Sequence, residues 1–232
     1  MRSRKALAFI AIALVLALSL SGCGILSLLG ADPADTMKVL VQGNLDEIYL
    51  GKYNSDFLEL TDTTEEEAEQ NYLDGLAVEA DVYAQMCSID YLTDELKAEV
   101  VDLYKEIYSH SKYEIGEVQK IDDDTYGVQL TVYPIDIMQQ FLDASGAAAD
   151  EFNAQYSEEE QELIYTDEDA YAAYDEAWAR MTIELCRSLI PNIGYMEPVT
   201  MLVQVVRGDD DLWAINENDF NEIDLNIIYY PQ

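Results

Sequence analysis

Few residues of this 232-residue chain have the type and spacing that catalysis requires. The single histidine, His110, stands between Ser109 and Ser111 where a helix is expected to end, and neighbouring side chains there point apart. We therefore expect His110 to be a solvated residue, favoured by the dipole of that helix C-terminus. No GxSxG, HExxH or P-loop motif occurs. The sequence thus predicts neither a catalytic residue nor a cofactor.

Acidic runs raise the question of calcium, which prefers oxygen ligands. In a loop that starts at Asp122, however, the fifth and twelfth positions of an EF-hand would be Tyr126 and Tyr133, where oxygen-rich ligands are required. The run 209–211 leads into apolar residues and fails in the same way. We expect both runs to be turns between strands. A histidine-poor chain also disfavours transition metals, so no metal site is predicted.

Cys23 is the residue whose surroundings indicate a definite chemical role. Three basic residues near the start precede an apolar run over residues 6–18, and Leu20-Ser21-Gly22 then leads into Cys23. This order of parts resembles a bacterial lipoprotein signal peptide with its lipobox. The resemblance implies that the thiol of Cys23 receives a diacylglyceryl group. An uncleaved membrane helix over residues 6–31 is the alternative, which the serines and glycines of its second half disfavour.

The lipoprotein resemblance also implies an organisation and a location. It divides the chain into a signal peptide over residues 1–22, a lipidated tether over residues 23–31 and a single domain over residues 32–232. Two acyl chains anchor a protein stably, whereas one binds only marginally, so this lipid alone would suffice. The mature protein would contact the membrane through its lipid anchor, at the outer face of the cytoplasmic membrane.

The net charge excludes several classes of partner. The chain has 12 Lys and Arg and 47 Asp and Glu, which gives a formal net charge of −35. Removal of residues 1–22 takes away three of the basic residues and none of the acidic ones, so the mature chain has a net charge of −38. Phosphate backbones and anionic lipid surfaces repel such a body, so we expect no nucleic-acid binding. Attraction of a basic partner or of divalent cations stays open, although a solvated surface is the simpler interpretation.

Two cysteines remain once Cys23 carries lipid. An exported protein can join Cys87 and Cys186 in a disulfide. Both lie on or beside apolar helical stripes, where a free cysteine behaves as a small hydrophobe, so we favour buried thiols over a bridge. Half of the residues are apolar and 17 are tyrosines, which is enough to build a core.

Helix signals begin at Asp32-Pro33, which provides an N-cap and a first-turn proline. Thr64 and Glu67 have the spacing of a capping box and predict a second helix, and a third is expected to begin at Thr93. Further along, helical periodicity covers residues 135–141 and 167–190, ahead of a proline. Residues 144–149 and 157–160 are expected to belong to a mobile surface segment.

Strand signals occur in two pairs. Residues 126–133 alternate between apolar and other side chains, and residues 113–121 are the expected partner, with Gly116 as a bulge. Residues 199–207 and 212–216 form the second expected hairpin. The sequence therefore predicts an α+β fold, in which N-terminal helices pack on a twisted antiparallel sheet of about four strands and a helical insertion separates two hairpins.

This layout, with a closing strand that reads Leu212-Trp213-Ala214-Ile215 before Asp219-Phe220, resembles Gram-positive lipoproteins of domain-of-unknown-function type. Their fold is similar to the cone of the nuclear transport factor two-like or cystatin-like group. The resemblance spans about residues 35–230, and the helical insertion departs from the simplest cone. Families of this kind bind ligands, catalyse in a minority of cases or mediate contacts, so the resemblance implies no single activity.

Two functional hypotheses follow from the sequence. The first is a lipid-anchored, non-enzymatic protein of the cell envelope that binds a small-molecule ligand or a protein partner. The alternative is a carboxylate-based hydrolase that acts on cell-wall or glycan substrates, although no spacing singles out one pair among the 47 acids. Two convergent carboxyl groups in a cleft, with raised pKa values, would favour the hydrolase, whereas an apolar pocket or no pocket would favour the binding protein.

Overall fold

The computed structural model describes residues 32–208 and 211–231, which form an α+β fold as predicted. Within these residues four helices precede a first hairpin, three helices separate it from a second hairpin, and one more helix follows. The helices are α1 (Pro33–Leu45), α2 (Ser55–Thr61), α3 (Glu65–Cys87), α4 (Asp94–Tyr108), α5 (Ile137–Asn153), α6 (Glu158–Thr166), α7 (Glu168–Leu189) and α8 (Glu217–Ile227). The strands are β1 (Lys112–Lys120), β2 (Thr125–Tyr133), β3 (Val199–Arg207) and β4 (Trp213–Ile215). Cys23 and the tether 23–31 lie outside the described residues.

Side-chain caps begin the helices where the sequence predicts them. The carboxylate of Asp32 accepts a hydrogen bond from the backbone N–H of Ala34 at 3.0 Å. Thr64 and Glu67 form a complete capping box, in which each side chain accepts from the other residue's backbone N–H. Thr93 caps α4. Each cap satisfies N–H groups that the first turn of a helix leaves without partners, which fixes the starting residue.

The sheet is antiparallel throughout, with the strand order β1-β2-β3-β4. Both predicted hairpins are confirmed. The register between β1 and β2 shifts between Ile115 and Val118, which places the expected bulge at Gly116 and Glu117. Strands β2 and β3 pair along their whole length and are the centre of the sheet.

The two faces of the sheet have different environments. Helices α1 and α8 contact one face, and the side chains that point to it are fully buried in the middle of β2, at Val128, Leu130 and Val132. On the other face Gln129, Thr200 and Leu202 are exposed. The main core therefore lies between the helices and one side of the sheet, and the opposite side is open to solvent.

The insertion between the hairpins is more helical than the sequence predicts. Residues 144–149 lie inside α5, and residues 157–160 cap and begin α6; the expected mobility of both segments stays a prediction. Residues 144–149 are rich in alanine, the best helix former, and Ser157 and Glu160 form the same capping box as the one at the start of α3. The insertion has a small aromatic cluster of its own around Phe152, and no Lys or Arg occurs between Lys120 and Arg180.

The sequence does not predict α2, α6, α8 or a π-helical turn at Asp46–Leu50 that extends α1. Helix α8 packs against β2 and β3 and buries Ile223 and Ile227. Within residues 32–208 and 211–231 no helix combines the length and the apolar composition needed to cross a membrane.

Candidate functional site

Among the described residues, those singled out in the sequence do not meet at one site. His110 follows the end of α4 and is half-buried, and its backbone carbonyl accepts a hydrogen bond from the hydroxyl of Tyr195 at 2.8 Å. The neighbouring Ser109 hydroxyl donates to the backbone carbonyl of Glu106 at 2.6 Å. The observed contacts of this segment are thus those of a helix end.

Cys87 and Cys186 are buried free thiols, as expected. Burial raises the pKa of each to about 12. A thiol with such a pKa is protonated at neutral pH, and only the thiolate is a good nucleophile. The two cysteines therefore contribute to packing rather than to chemistry.

The first acidic run is a turn, as predicted. The carboxylate of Asp122 accepts from the backbone N–H of Asp124 at 2.9 Å, and the Nζ atom of Lys120 lies 2.7 Å from the carboxylate of Asp123. In the part of the chain that the structure describes, no three His, Cys, Asp or Glu side chains are grouped as metal ligands.

Helices α3 and α8 bring two carboxyl groups, Glu79 and Asp224, into one cluster of buried tyrosines. The hydroxyl of Tyr108 donates to Glu79 at 2.9 Å, and the hydroxyl of Tyr49 donates to Asp224 at 3.0 Å. We call this the carboxyl–phenol cluster, and its members are Tyr49, Glu79, Tyr104, Tyr108, Asp224 and Tyr230. Edge-to-face ring contacts connect Tyr49, Tyr108 and Tyr104, with centroids 5.3 and 5.8 Å apart.

The surroundings of this cluster raise the pKa of both carboxyl groups. Burial is the main cause that raises the pKa of Glu79 to about 7, and the charge of Asp224 adds to it, while the hydrogen bond from Tyr108 acts in the opposite direction. Burial also raises the pKa of Asp224, against the hydrogen bond from Tyr49. Both residues keep part of their surface in solvent, but protein atoms enclose their carboxyl groups.

Sequence analysis missed this pair, although each helix carries a signal. Glu79 stands three residues after Leu76 and four before Tyr83, on the buried stripe of α3. Asp224 directly follows the buried Ile223. An acid on an apolar stripe is unusual because burial of an unpaired charge is costly. That the two acids meet, 145 positions apart, is a consequence of tertiary packing alone.

The open face of the sheet carries a groove. Its volume is about 360 Å³, and it is lined by Glu117, Val118, Gln119, Gln129, Thr200, Met201 and Leu202. Leu202 is 46% exposed, an unusual value for a leucine in a central strand. Two amides, one hydroxyl and one carboxylate thus lie beside apolar side chains in this groove.

An aromatic group borders the same face. The rings of Tyr133 and Tyr195 meet edge to face with centroids 6.4 Å apart, and the Nζ atom of Lys112 lies 3.9 Å from the centroid of Tyr133. Thr131 and Thr200 hydrogen-bond across the strands at 2.9 Å. These contacts hold the side chains of the open face in place.

Comparison with known proteins gives little further information. No protein family and no curated protein matches the chain. Among solved structures, the chain is similar to YcdA, described as a lipoprotein, from Bacillus subtilis, with 18% sequence identity and a TM-score of 0.49. The alignment covers 84% of this chain and 56% of that protein, so the chain spans little more than half the length of YcdA. A likeness at this level assigns no function to the chain, and the resemblance to the nuclear transport factor two-like cone stays a prediction.

Proposed function

We propose that this chain is a lipid-anchored protein of the outer cell surface that binds a ligand or partner on the open face of its sheet and does not act as an enzyme. Cys23 is the proposed lipid attachment residue, after removal of residues 1–22. Residues 23–31 would then be the tether, and residues 32–232 the binding domain at the outer face of the cytoplasmic membrane.

The observation that supports binding on this face is its low charge. On a chain of net charge −35, the side chains of β1, β2 and β3 that point to the open face include only two carboxylates, Glu114 and Glu117, and one ammonium group, Lys112. The other polar side chains there are amides and hydroxyls. Two carboxylates and one ammonium group give this patch a formal charge of only −1, which favours an uncharged ligand because such a ligand brings no charge that these few groups would have to balance.

The side chains of the groove further restrict the class of ligand that it can bind. Gln119, Gln129 and Thr200 offer both donors and acceptors of hydrogen bonds, and Leu202 adds an apolar contact. A neutral, hydroxyl- or amide-rich molecule, such as a glycan strand or an extended uncharged peptide, has matching groups. Nucleic acid is disfavoured by the net charge.

Mass spectrometry of the N-terminal peptide from the membrane fraction tests the anchor. We expect the peptide that starts at Cys23 to carry a diacylglyceryl group. The variant Cys23→Ala should lose the lipid and its processing, whereas Cys87→Ala should keep both. An unmodified Cys23 in the native protein would refute the anchor.

Ligand-observed NMR with the full-length chain in detergent tests the groove, using neutral N-acetylglucosamine oligomers and uncharged peptides as probes. We expect Gln129→Ala to weaken binding about tenfold, which corresponds to the loss of one hydrogen bond of roughly 1.4 kcal/mol. The control Gln204→Ala changes an exposed glutamine of the same face outside the groove and should bind as the native chain does. Equal weakening in both variants, or no binding of neutral probes, would contradict the proposal.

One observation favours the hydrolase as a second candidate. The pKa of Glu79, raised to about 7 beside Asp224, suits a general acid. Against it, tyrosines of the core surround the pair, which lies on the helical side of the sheet and not at the groove. Release of reducing sugars from cell-wall glycans by the native chain, abolished in Glu79→Gln, would support the hydrolase, and absence of any release would reject it.

A further inference from the structure

The carboxyl–phenol cluster holds α8 and the residues after it against the rest of the fold. Asp224 of α8 accepts a hydrogen bond from Tyr49, which lies in the π-helical turn after α1. Six residues later the hydroxyl of Tyr230 lies 3.5 Å from that of Tyr104 in α4. Ile223 and Ile227 complete the contact from the apolar side, because both are buried.

The titratable groups that act on the two carboxyls are phenols and the other acid of the pair: Tyr49 from the π-helical turn, Tyr104 and Tyr108 from α4 and Tyr230 after α8. The next groups outward are Tyr113 of β1, which acts on Tyr49 and donates to Asp46, and Cys186 of α7, which acts on Tyr104 and Tyr230. None of these side chains carries a positive charge. A proton is therefore the only neutralising partner that the described surroundings offer to Glu79 and Asp224.

We propose that Glu79 and Asp224 form a proton-operated latch, which fixes α8 to the body of the domain while at least one of the two carboxyls is protonated and loosens it when both are ionised. Tyr108, the partner of Glu79, and Tyr49, the partner of Asp224, are in ring contact, so the two carboxylates share one enclosed cluster and repel each other when both are ionised. Partial burial weakens the screening of that repulsion by solvent. Release of α8 from the domain would expose both carboxylates to water. The apolar contacts of Ile223 and Ile227 would oppose the opening. The latch therefore shifts the equilibrium between the closed and open positions of α8 and does not unfold the domain.

The direction of the pH response follows from the raised pKa values. A carboxyl whose pKa is higher in the closed state contributes stability that is fully present below its ordinary pKa and is lost as the pH rises through the closed-state pKa. For Glu79 that window extends from 4.5 to about 7. Helix α8 should thus be held firmly at pH 5 and less firmly at pH 8.

Each variant of the cluster has its own expected effect. Glu79→Gln and Asp224→Asn remove one charge each, so α8 should stay closed at pH 8. Tyr108→Phe removes a hydrogen bond that lowers the pKa of Glu79, so the midpoint of the response should move to higher pH. A purely structural role of Tyr108 would change stability at every pH without moving the midpoint.

Hydrogen–deuterium exchange of the full-length chain in detergent, measured by mass spectrometry between pH 5 and 8 and corrected for intrinsic exchange, tests the latch. We expect the opening equilibrium of α8 to rise by a factor on the order of 10² or less over this range, while protection of β2 and β3 changes little. The control Glu66→Gln removes an exposed charge from the same helix as Glu79 and should behave as the native chain does.

Three outcomes would overturn the latch: protection of α8 that is independent of pH, a pH response in Glu79→Gln equal to that of the native chain, or the same loss of response in Glu66→Gln. If Glu79→Gln does not fold, Asp224→Asn and the midpoint shift of Tyr108→Phe decide the question. None of these measurements depends on an activity or on ligand binding, so failure of the latch leaves the proposed function untouched.

Discussion

The contact between α1 and α2 allows a prediction about stability. The short distance between Gly43 and the ring of Phe57 decides whether the substitution Gly43→Ala stabilises or destabilises the fold. Gly43 lies within α1, where a replacement by alanine ordinarily stabilises a helix by about 1 kcal/mol. Here, however, an added Cβ atom would lie 2.2 Å from both Cγ and Cδ2 of Phe57. Carbon atoms in contact are normally about 3.5–4.0 Å apart, so the ring would have to move by more than about 1 Å.

Phe57 has little freedom to make that movement. Its side chain is 1% exposed, and its backbone N–H donates to the side chain of Asn54 at 2.8 Å, which caps α2. Displacement of the ring therefore displaces α2. Overpacking of this kind costs about 1–3 kcal/mol or more, so we expect Gly43→Ala to destabilise the fold by roughly 2 kcal/mol after the helical gain is subtracted.

Urea unfolding of the full-length chain in detergent, followed by circular dichroism, measures this free energy, and a melting temperature lower by about 4–8 °C should accompany it. Gly146→Ala is the matched control, because it changes a glycine of helix α5 with no atom within 4 Å of the added Cβ atom. That variant should be stabilised by up to about 1 kcal/mol. Opposite signs for the two glycines are the expected result.

A double-mutant cycle separates the contact from other effects. Phe57→Ala alone should cost about 3–5 kcal/mol because it leaves a cavity. In the double variant the new methyl group of residue 43 enters that space, so the combined loss should be smaller than the sum by about 1–3 kcal/mol. Stabilisation by Gly43→Ala, or strict additivity with Phe57→Ala, would refute the reasoning.

Three further predictions concern other contacts. Asp175 is fully buried, and its carboxylate accepts hydrogen bonds from the backbone N–H groups of Asp90 and Tyr91 at 2.9 and 2.8 Å. In urea unfolding, Asp175→Ala should therefore lower the free energy of unfolding by about 2–4 kcal/mol, and Asp175→Asn should lower it clearly less. Equal losses of stability in the two variants would contradict this role. Ser157→Ala removes the cap of α6 and should increase hydrogen exchange in α6 while the apolar core keeps its protection, whereas a global loss would show that α6 is coupled to the core. Calcium should raise the melting temperature in a graded way that sodium chloride of equal ionic strength reproduces, and saturation at a fixed stoichiometry would reveal a specific site.

Local signals account for most of the fold that could be predicted from the sequence. Caps such as Asp32 and Thr93 act within one turn of the residue they satisfy, and alternation along β2 reflects burial of one face of the sheet. Helical structure over residues 144–149 and 157–160 was not predicted, although the alanines of the first segment and the capping box at Ser157 are local signals for it. Helix α8 is short and its apolar residues are few, so periodicity alone did not distinguish it from a loop.

The carboxyl–phenol cluster could not be predicted from local sequence signals, for a different reason. Glu79 and Asp224 acquire raised pKa values only because α3, α4, the π-helical turn and α8 enclose them together. Position on a stripe can indicate that an acid is buried, but it cannot identify the second acid. The groove could not be predicted for a similar reason, since its lining combines residues of three strands whose order the sequence left open.

The stretch without Lys or Arg, from residue 121 to residue 179, affects how this protein can be detected and dissected. Trypsin cleaves after basic residues, so a complete digest releases β2, α5, α6 and the first half of α7 as the single peptide 121–180. Opening of this stretch would not change the pattern of tryptic cleavage, because the opened segment contains no Lys or Arg. A protease that cleaves after glutamate has many sites in the same region, and it can therefore report exposure of α6 that trypsin would miss.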